Sequence, residues 1–127
     1  MTSADELQRI LMSMGDEEQA RQLMRFFKTG KGDYGEGDRF IGLRCPQTRE
    51  VVKEARLDVS FAEIEKLLDS PWHEIRFAGF QLLVEEMKVA LPRKRQAPTT
   101  GAHRRREIAE FFLAHARKAN NLSLIHI

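Results

Sequence analysis

Two stretches of the chain gather cations at spacings that suit phosphate chemistry. The first, FFKTGKGDYGEGDRFIGLRCPQTREVVKE, concentrates Lys28, Lys31, Arg39, Arg44, Arg49 and Lys53 around a glycine-rich segment that also holds Tyr34 and Phe40. Four glycines fall within the eight residues Gly30 to Gly37, which exposes backbone N–H groups and forbids a helix there. Basic side chains beside such N–H groups can hold phosphate oxygens. The same glycines would equally serve a plain connector between helices. The second stretch runs from Leu91 to Arg106 and has six Lys/Arg (Arg93, Lys94, Arg95, Arg104, Arg105 and Arg106) with no Asp or Glu. Runs of this kind contact nucleic acid or merely keep a linker solvated. Trp72, the single tryptophan, is expected to pack at a helix start rather than to stack on a base.

Other chemistries leave no trace. The chain has no P-loop, dinucleotide fingerprint, H-E-x-x-H pair or nucleophile elbow. His73, His103, His115 and His126 lack metal-ligand spacing, and His115 reads as a core histidine on an apolar helix face. The lone cysteine, Cys45, can form neither an intrachain disulfide nor a thiolate metal cluster. A reducing, intracellular compartment is the expectation.

What must position these groups is a single domain of modest core, for the chain has 127 residues, 42% apolar and 31% charged. Net charge is only +2, so the cations matter by where they cluster. MTSADELQRI lacks a signal peptide's basic and apolar regions, and no apolar stretch approaches the ~20 residues of a membrane span.

The periodicity is helical nearly throughout. Ser3 with Glu6 reads as a capping box before an apolar face of Leu7, Ile10, Leu11 and Met14. Asp16 is a candidate N-cap for a helix facing inward through Ala20, Leu23, Met24 and Phe27. A third helix is expected from Pro46, with Thr48, Val51, Val52 and Ala55 inside. Ser60 with Glu63 forms a second box ahead of Phe61, Ile64, Leu67 and Leu68. Ser70 is expected to cap a longer helix from Pro71, whose two apolar stripes leave only Glu74, Gln81, Glu85 and Lys88 as a polar strip. So wide an apolar surface must be covered on more than one side. The last helix starts near His103 and faces inward through Ile108, Phe111, Phe112, His115 and Ala119. RFIGLRC reads as an ordered loop. The class is all-α: HEAT-like helical hairpins stacked as an α-solenoid, a partial superhelix.

Three segments carry a resemblance to a known family. RFFKTGKGDYGEGDRFIGLRCPQTREVVKE, SFAEIEKLLDSPWHEIRFAGFQLLVEEMK and EIAEFFLAHARKANN, with the pieces YGEGD, G-L-R-x-P-x-x-R and SPWHE-x-R in order, resemble the N-terminal half of the DNA alkylation repair family, the AlkD-like DNA glycosylases. The resemblance covers Asp5 to Asn121. It implies a HEAT-like superhelix with a basic concave face for duplex DNA. It also implies hydrolysis of the N-glycosidic bond of N-alkylated purines such as 3-methyladenine and 7-methylguanine, with no metal or organic cofactor. Phe26 and Lys28 match the family's aromatic–basic pair, Arg44 falls in its G-L-R-x-P motif, and Arg49 and Lys53 would face backbone phosphates. The DNA-binding candidates are thus Phe26, Lys28, Lys31, Tyr34, Arg39, Arg44, Arg49, Lys53, Arg93, Lys94, Arg95, Arg104 and Arg105.

The family's catalytic motif resembles N-N-W-D-L-V-D, its Trp an aromatic wall and its last Asp the catalytic carboxylate. Asn120 and Asn121 match, but Leu122 stands at the Trp position, Ser123 at the first Asp and His126 at the catalytic Asp. A histidine there, neutral or cationic, cannot offset the positive charge of an oxocarbenium-like transition state. The expectation is residues 1–121 as the N-terminal part of such a domain, with the basic loop 91–106 inside it, and 122–127 as a non-native tail. The chain then binds alkylated duplex DNA without releasing base. The competing expectation is a non-catalytic HEAT-like module that binds DNA or a protein through its basic face. A cytoplasmic, nucleoid-associated bacterial protein, monomeric at full length and self-associating as a fragment, completes the reading.

Overall fold

The computed structural model describes residues 2–26 and 39–118. Among them are six α-helices: α1 (Ala4–Ser13), α2 (Glu17–Phe26), α3 (Cys45–Ala55), α4 (Phe61–Leu68), α5 (His73–Ala90) and α6 (Ala102–His115), the last extended by a 3₁₀ turn, Ala116–Lys118. No strand forms among the described residues; Arg39 and Trp72 make one isolated bridge within the RFIGLRC region's reach.

Helix α5 is the axle. It packs on α1, α3, α4 and α6, as its two apolar stripes require. Ile75, Phe80 and Leu82 are each at most 1% exposed, and Ile64, Leu67 and Leu68 of α4 meet them. Each such side chain contributes about 1.5–3 kcal/mol by leaving water. Gly79 permits the close approach of α4, because a Cβ there would lie 2.8 Å from Leu68 Cδ2. Helix α6 returns antiparallel along α5, with Arg104 against Glu86 and the Phe112 ring edge-on to Phe80.

Several local expectations change. Ser3 caps α1 by accepting from the Glu6 N–H (3.2 Å). Ser60 likewise accepts from Glu63 N–H, but the Glu63 carboxylate does not fold back: it accepts the Ala4 N–H at 2.9 Å and pairs with Lys66, tying α1 to α4. Lys66 first, then the Ala4 amide, hold the Glu63 carboxyl below its usual range. Helix α5 starts at His73 rather than Pro71. Ser70 Oγ accepts from Trp72 N–H, and His73 N–H is drawn to the Arg39 carbonyl (2.7 Å), so the chain stays extended until that bond is made. Helix α3 takes Cys45 as well as Pro46. Ile10 is 46% exposed, because the buried stripe of α1 is Ala4, Leu7 and Leu11. Phe112 is 41% exposed and His115 half-buried, so the inward face of α6 is covered mainly at Ile108.

Candidate nucleic-acid interface

Glu74 is the residue around which the first cationic segment is built. It is 3% exposed, not part of a polar strip as its helical position suggested. Its Oε1 accepts the Ile41 N–H at 2.9 Å, and its Oε2 accepts those of Gly42 (2.9 Å) and Leu43 (3.1 Å). Three consecutive amides of an irregular segment thereby find the acceptor that a strand or helix would otherwise supply. Gly42 makes this path possible. Its φ is +96°, and a Cβ would meet the Asp16 carbonyl oxygen at 1.9 Å. Asp16 returns the contact by donating its N–H to the Gly42 carbonyl (3.3 Å), while its side chain caps Glu18 N–H at the head of α2.

The segment so fixed delivers Arg44 to the head of α3. Arg44 N–H donates to Gln47 Oε1 (2.9 Å), one half of a capping box. Its side chain is exposed. Arg49, Lys53 and Arg56, at i, i+4 and i+7, continue an exposed cationic stripe along α3 and its C-cap. Arg49 also lies over the Phe77 ring of α5, 5.8 Å from its centre. Glu50 and Glu54 form an exposed acidic stripe beside the cationic one, so a polyanion can approach α3 from one side only.

Beneath Arg44 lies a cavity of ≈ 380 Å³ with mostly apolar walls, among them Leu23, Phe40, Leu43, Cys45 and Phe77. His73 lines it and stacks on Phe40, ring centres 4.4 Å apart. Burial, helped by the Arg76 charge, pushes His73 down to about 3. It is therefore neutral near pH 7 and cannot act there as a general acid.

The second cationic segment divides in two. Arg105 turns inward: Nη1 donates to the carbonyls of Thr100 (2.6 Å) and Ala90 (3.0 Å), and Nη2 to that of Pro98 (3.0 Å). Arg104 pairs with Glu86 (3.1 Å) and covers the Phe61 ring at 4.5 Å. Both candidates are thus engaged within the fold. Arg93, Lys94, Arg95 and Arg106 remain exposed.

The structure therefore places Arg44 at the N-cap of α3 and Arg49 and Lys53 within it, and Arg93, Lys94 and Arg95 on a separate loop. Arg39 is exposed at the start of the Glu74-bound segment. Lys28, Lys31, Tyr34, Leu122 and His126 lie outside the described residues, as does the Phe26 side chain. Sequence reasoning missed Glu74 and Gly42 as organisers. One signal was available: a lone carboxylate on the helical stripe it shares with Phe77 and Ala78, which has no reason to be there unless it meets buried donors. No helix is long and apolar enough to cross a membrane, and no His/Cys/Asp/Glu group could hold a metal, among the described residues.

A family model described as DNA alkylation repair enzyme matches residues 7–126. No curated protein and no solved structure matches the chain.

Proposed function

The chain belongs to the DNA alkylation repair enzyme family, and we propose that it grips alkylated duplex DNA through the cationic stripe of α3. In this reading the helices stack as HEAT-like hairpins in a partial α-solenoid. The chain is the N-terminal part of a glycosylase that hydrolyses the N-glycosidic bond of N-alkylated purines, 3-methyladenine and 7-methylguanine being the expected lesions. The supporting observation is the presentation of Arg44 at the N-cap, and of Arg49 and Lys53 along the body, of a helix whose entry is locked by Glu74. Guanidinium groups in such an array bind phosphate oxygens two at a time, and a rigid base keeps the ordering cost low.

The chemistry that follows binding is separable from it. An alkylated purine is cationic and leaves readily, so the demand on the enzyme is to stabilise positive charge on the sugar. That task falls to an acceptor-only carboxylate. With Leu122 and His126 at the family's Trp and Asp positions, the chain holds the duplex and leaves the glycosidic bond intact.

The test is release of methylated purine from alkylated duplex, run beside a binding titration on the same DNA. Binding without release is expected. Leu122→Trp with His126→Asp, placed in a chain carrying the family's remaining repeats, is expected to restore release. The absence of both binding and release at low salt refutes the reading.

A further inference from the structure

The loop from Leu91 to Gly101 is unusually well organised for a charge-rich connector. Arg105 clamps it from within by donating to the carbonyls of Ala90, Pro98 and Thr100. Three backbone turns close it further: Gln96 N–H to the Arg93 carbonyl, Thr100 N–H to that of Ala97, and Ala102 N–H to that of Thr99, each 2.9 Å. Gln96 also returns its side-chain oxygen to Arg93 N–H at 2.8 Å. A linker that only separates two helices needs none of this. The result is a fixed platform on which Arg93, Lys94 and Arg95 stand exposed, with Arg106 exposed one turn into α6. None of the four has an ion-pair partner among the described residues. Of the nearby carboxylates, Glu86 is held by Arg104, Glu107 lies 3.5 Å from His103, and Glu110 stands exposed one turn beyond Arg106.

This platform lies at the far end of α5 from the Arg44 segment. Glu74 fixes that segment in the first turn of α5, and the loop leaves at Leu91. At 1.5 Å per residue the two ends of the helix are about 25 Å apart. Phosphates on one DNA strand recur every ~3.4 Å along the axis, so that span is about seven phosphates.

From this we infer that the 91–101 loop, with Arg106, is a second phosphate-gripping element, engaging the duplex backbone about seven phosphates from the Arg44 segment. The inference rests on the DNA-binding reading above and adds to it a contact site and a footprint. Three of the four cations are arginines, whose planar fork suits phosphate oxygens better than the point charge of lysine. Because the loop is pre-ordered, its grip loses little to ordering on contact.

The experiment measures affinity for a methylated duplex of about two helical turns as a function of salt, for the unaltered chain and for Arg93→Ala/Lys94→Ala/Arg95→Ala. These side chains are exposed and bond to no other side chain among the described residues, so circular dichroism and the melting midpoint are expected to stay unchanged. Each lost phosphate contact lowers the log–log salt slope by ~0.9. The triple variant is expected to lose two to three contacts' worth of slope and at least ~10-fold in affinity near 0.1 M salt. Arg93→Lys/Arg95→Lys is expected to keep most of the slope. A slope unchanged by the triple variant overturns the inference while leaving the α3 reading standing, and would turn the loop toward an acidic protein or lipid partner. Failure of the unaltered chain to bind duplex overturns both.

Discussion

Arg44 stands on a segment whose amides are held by a buried carboxylate, and Arg93 to Arg95 stand on a loop whose carbonyls are held by a guanidinium at the surface. Both devices do the same work: one ionisable side chain gathers three backbone groups that have no regular partner. Their settings differ. Glu74 is in the core, where water cannot replace it. Arg105 is half-buried, and two of its three bonds are open to solvent. The cationic stripe of α3 should therefore fail only when the fold fails, whereas the loop can loosen by itself. The consequences of disturbing each can be ranked.

The largest effect is expected at Glu74. Glu74→Ala leaves three buried N–H groups without acceptors at about 1–3 kcal/mol each, a large part of a small domain's total stability. Denaturant unfolding should show a collapsed midpoint or no cooperative transition. Glu74→Gln keeps an acceptor on one side only and should fall between. If Glu74→Ala unfolds at the unaltered midpoint, the anchoring role is wrong.

Gly42→Ala comes next, since the new Cβ collides with the Asp16 carbonyl at a left-handed φ; strain at such a position is about 1–3 kcal/mol before the clash is counted. Gly79→Ala meets side-chain atoms alone, Leu68 Cδ2 at 2.8 Å with Leu67 Cβ and Leu68 Cγ at 3.3 Å, and should cost less. The order of the two melting points checks this.

Acid should act through the same region. His73 is held at about 3 when folded, against 6.5 as a free side chain. Its contribution is complete above pH 6.5 and is lost as pH falls from there toward 3, because the unfolded chain takes up the proton first. Between pH 6.5 and 5, above the ordinary carboxylate range, the loss amounts to about 2 kcal/mol. His73→Gln should flatten the denaturant midpoint over that interval. A pH-independent midpoint in the unaltered chain contradicts the assignment.

The smallest effect on stability is expected from Arg105→Ala, about 1–2 kcal/mol. Amide exchange should accelerate across 91–101 and hold steady in α3. Equal acceleration in both would erase the distinction between the two devices.

The helices were legible because their apolar spacing and caps are local. Leu7 and Leu11, Ile64 and Leu68, and the two stripes of α5 all lie where their periodicity puts them. The polar organisers were not legible, because their partners are remote. Glu74 reaches amides 31 to 33 positions earlier in the chain, and Glu63 reaches Ala4 across 59. The start of α5 falls two residues later than its spacing suggested for the same reason: its first N–H bonds to Arg39. The charge run from Arg93 to Arg106 was visible as composition. That Arg104 and Arg105 serve the fold and leave Arg93, Lys94, Arg95 and Arg106 to solvent depends on contacts with Glu86, Phe61 and the loop's own carbonyls, which no spacing rule contains.

The central claim is that this helical scaffold grips duplex DNA by its phosphates. The most direct measurement is the affinity of the unaltered chain for a methylated duplex over a range of salt. Arg44, Arg49 and Lys53, joined by some or all of Arg93, Lys94, Arg95 and Arg106, predict a log–log slope between about −3 and −6 at ~0.9 per phosphate. A slope near zero, or no binding at low salt, contradicts it.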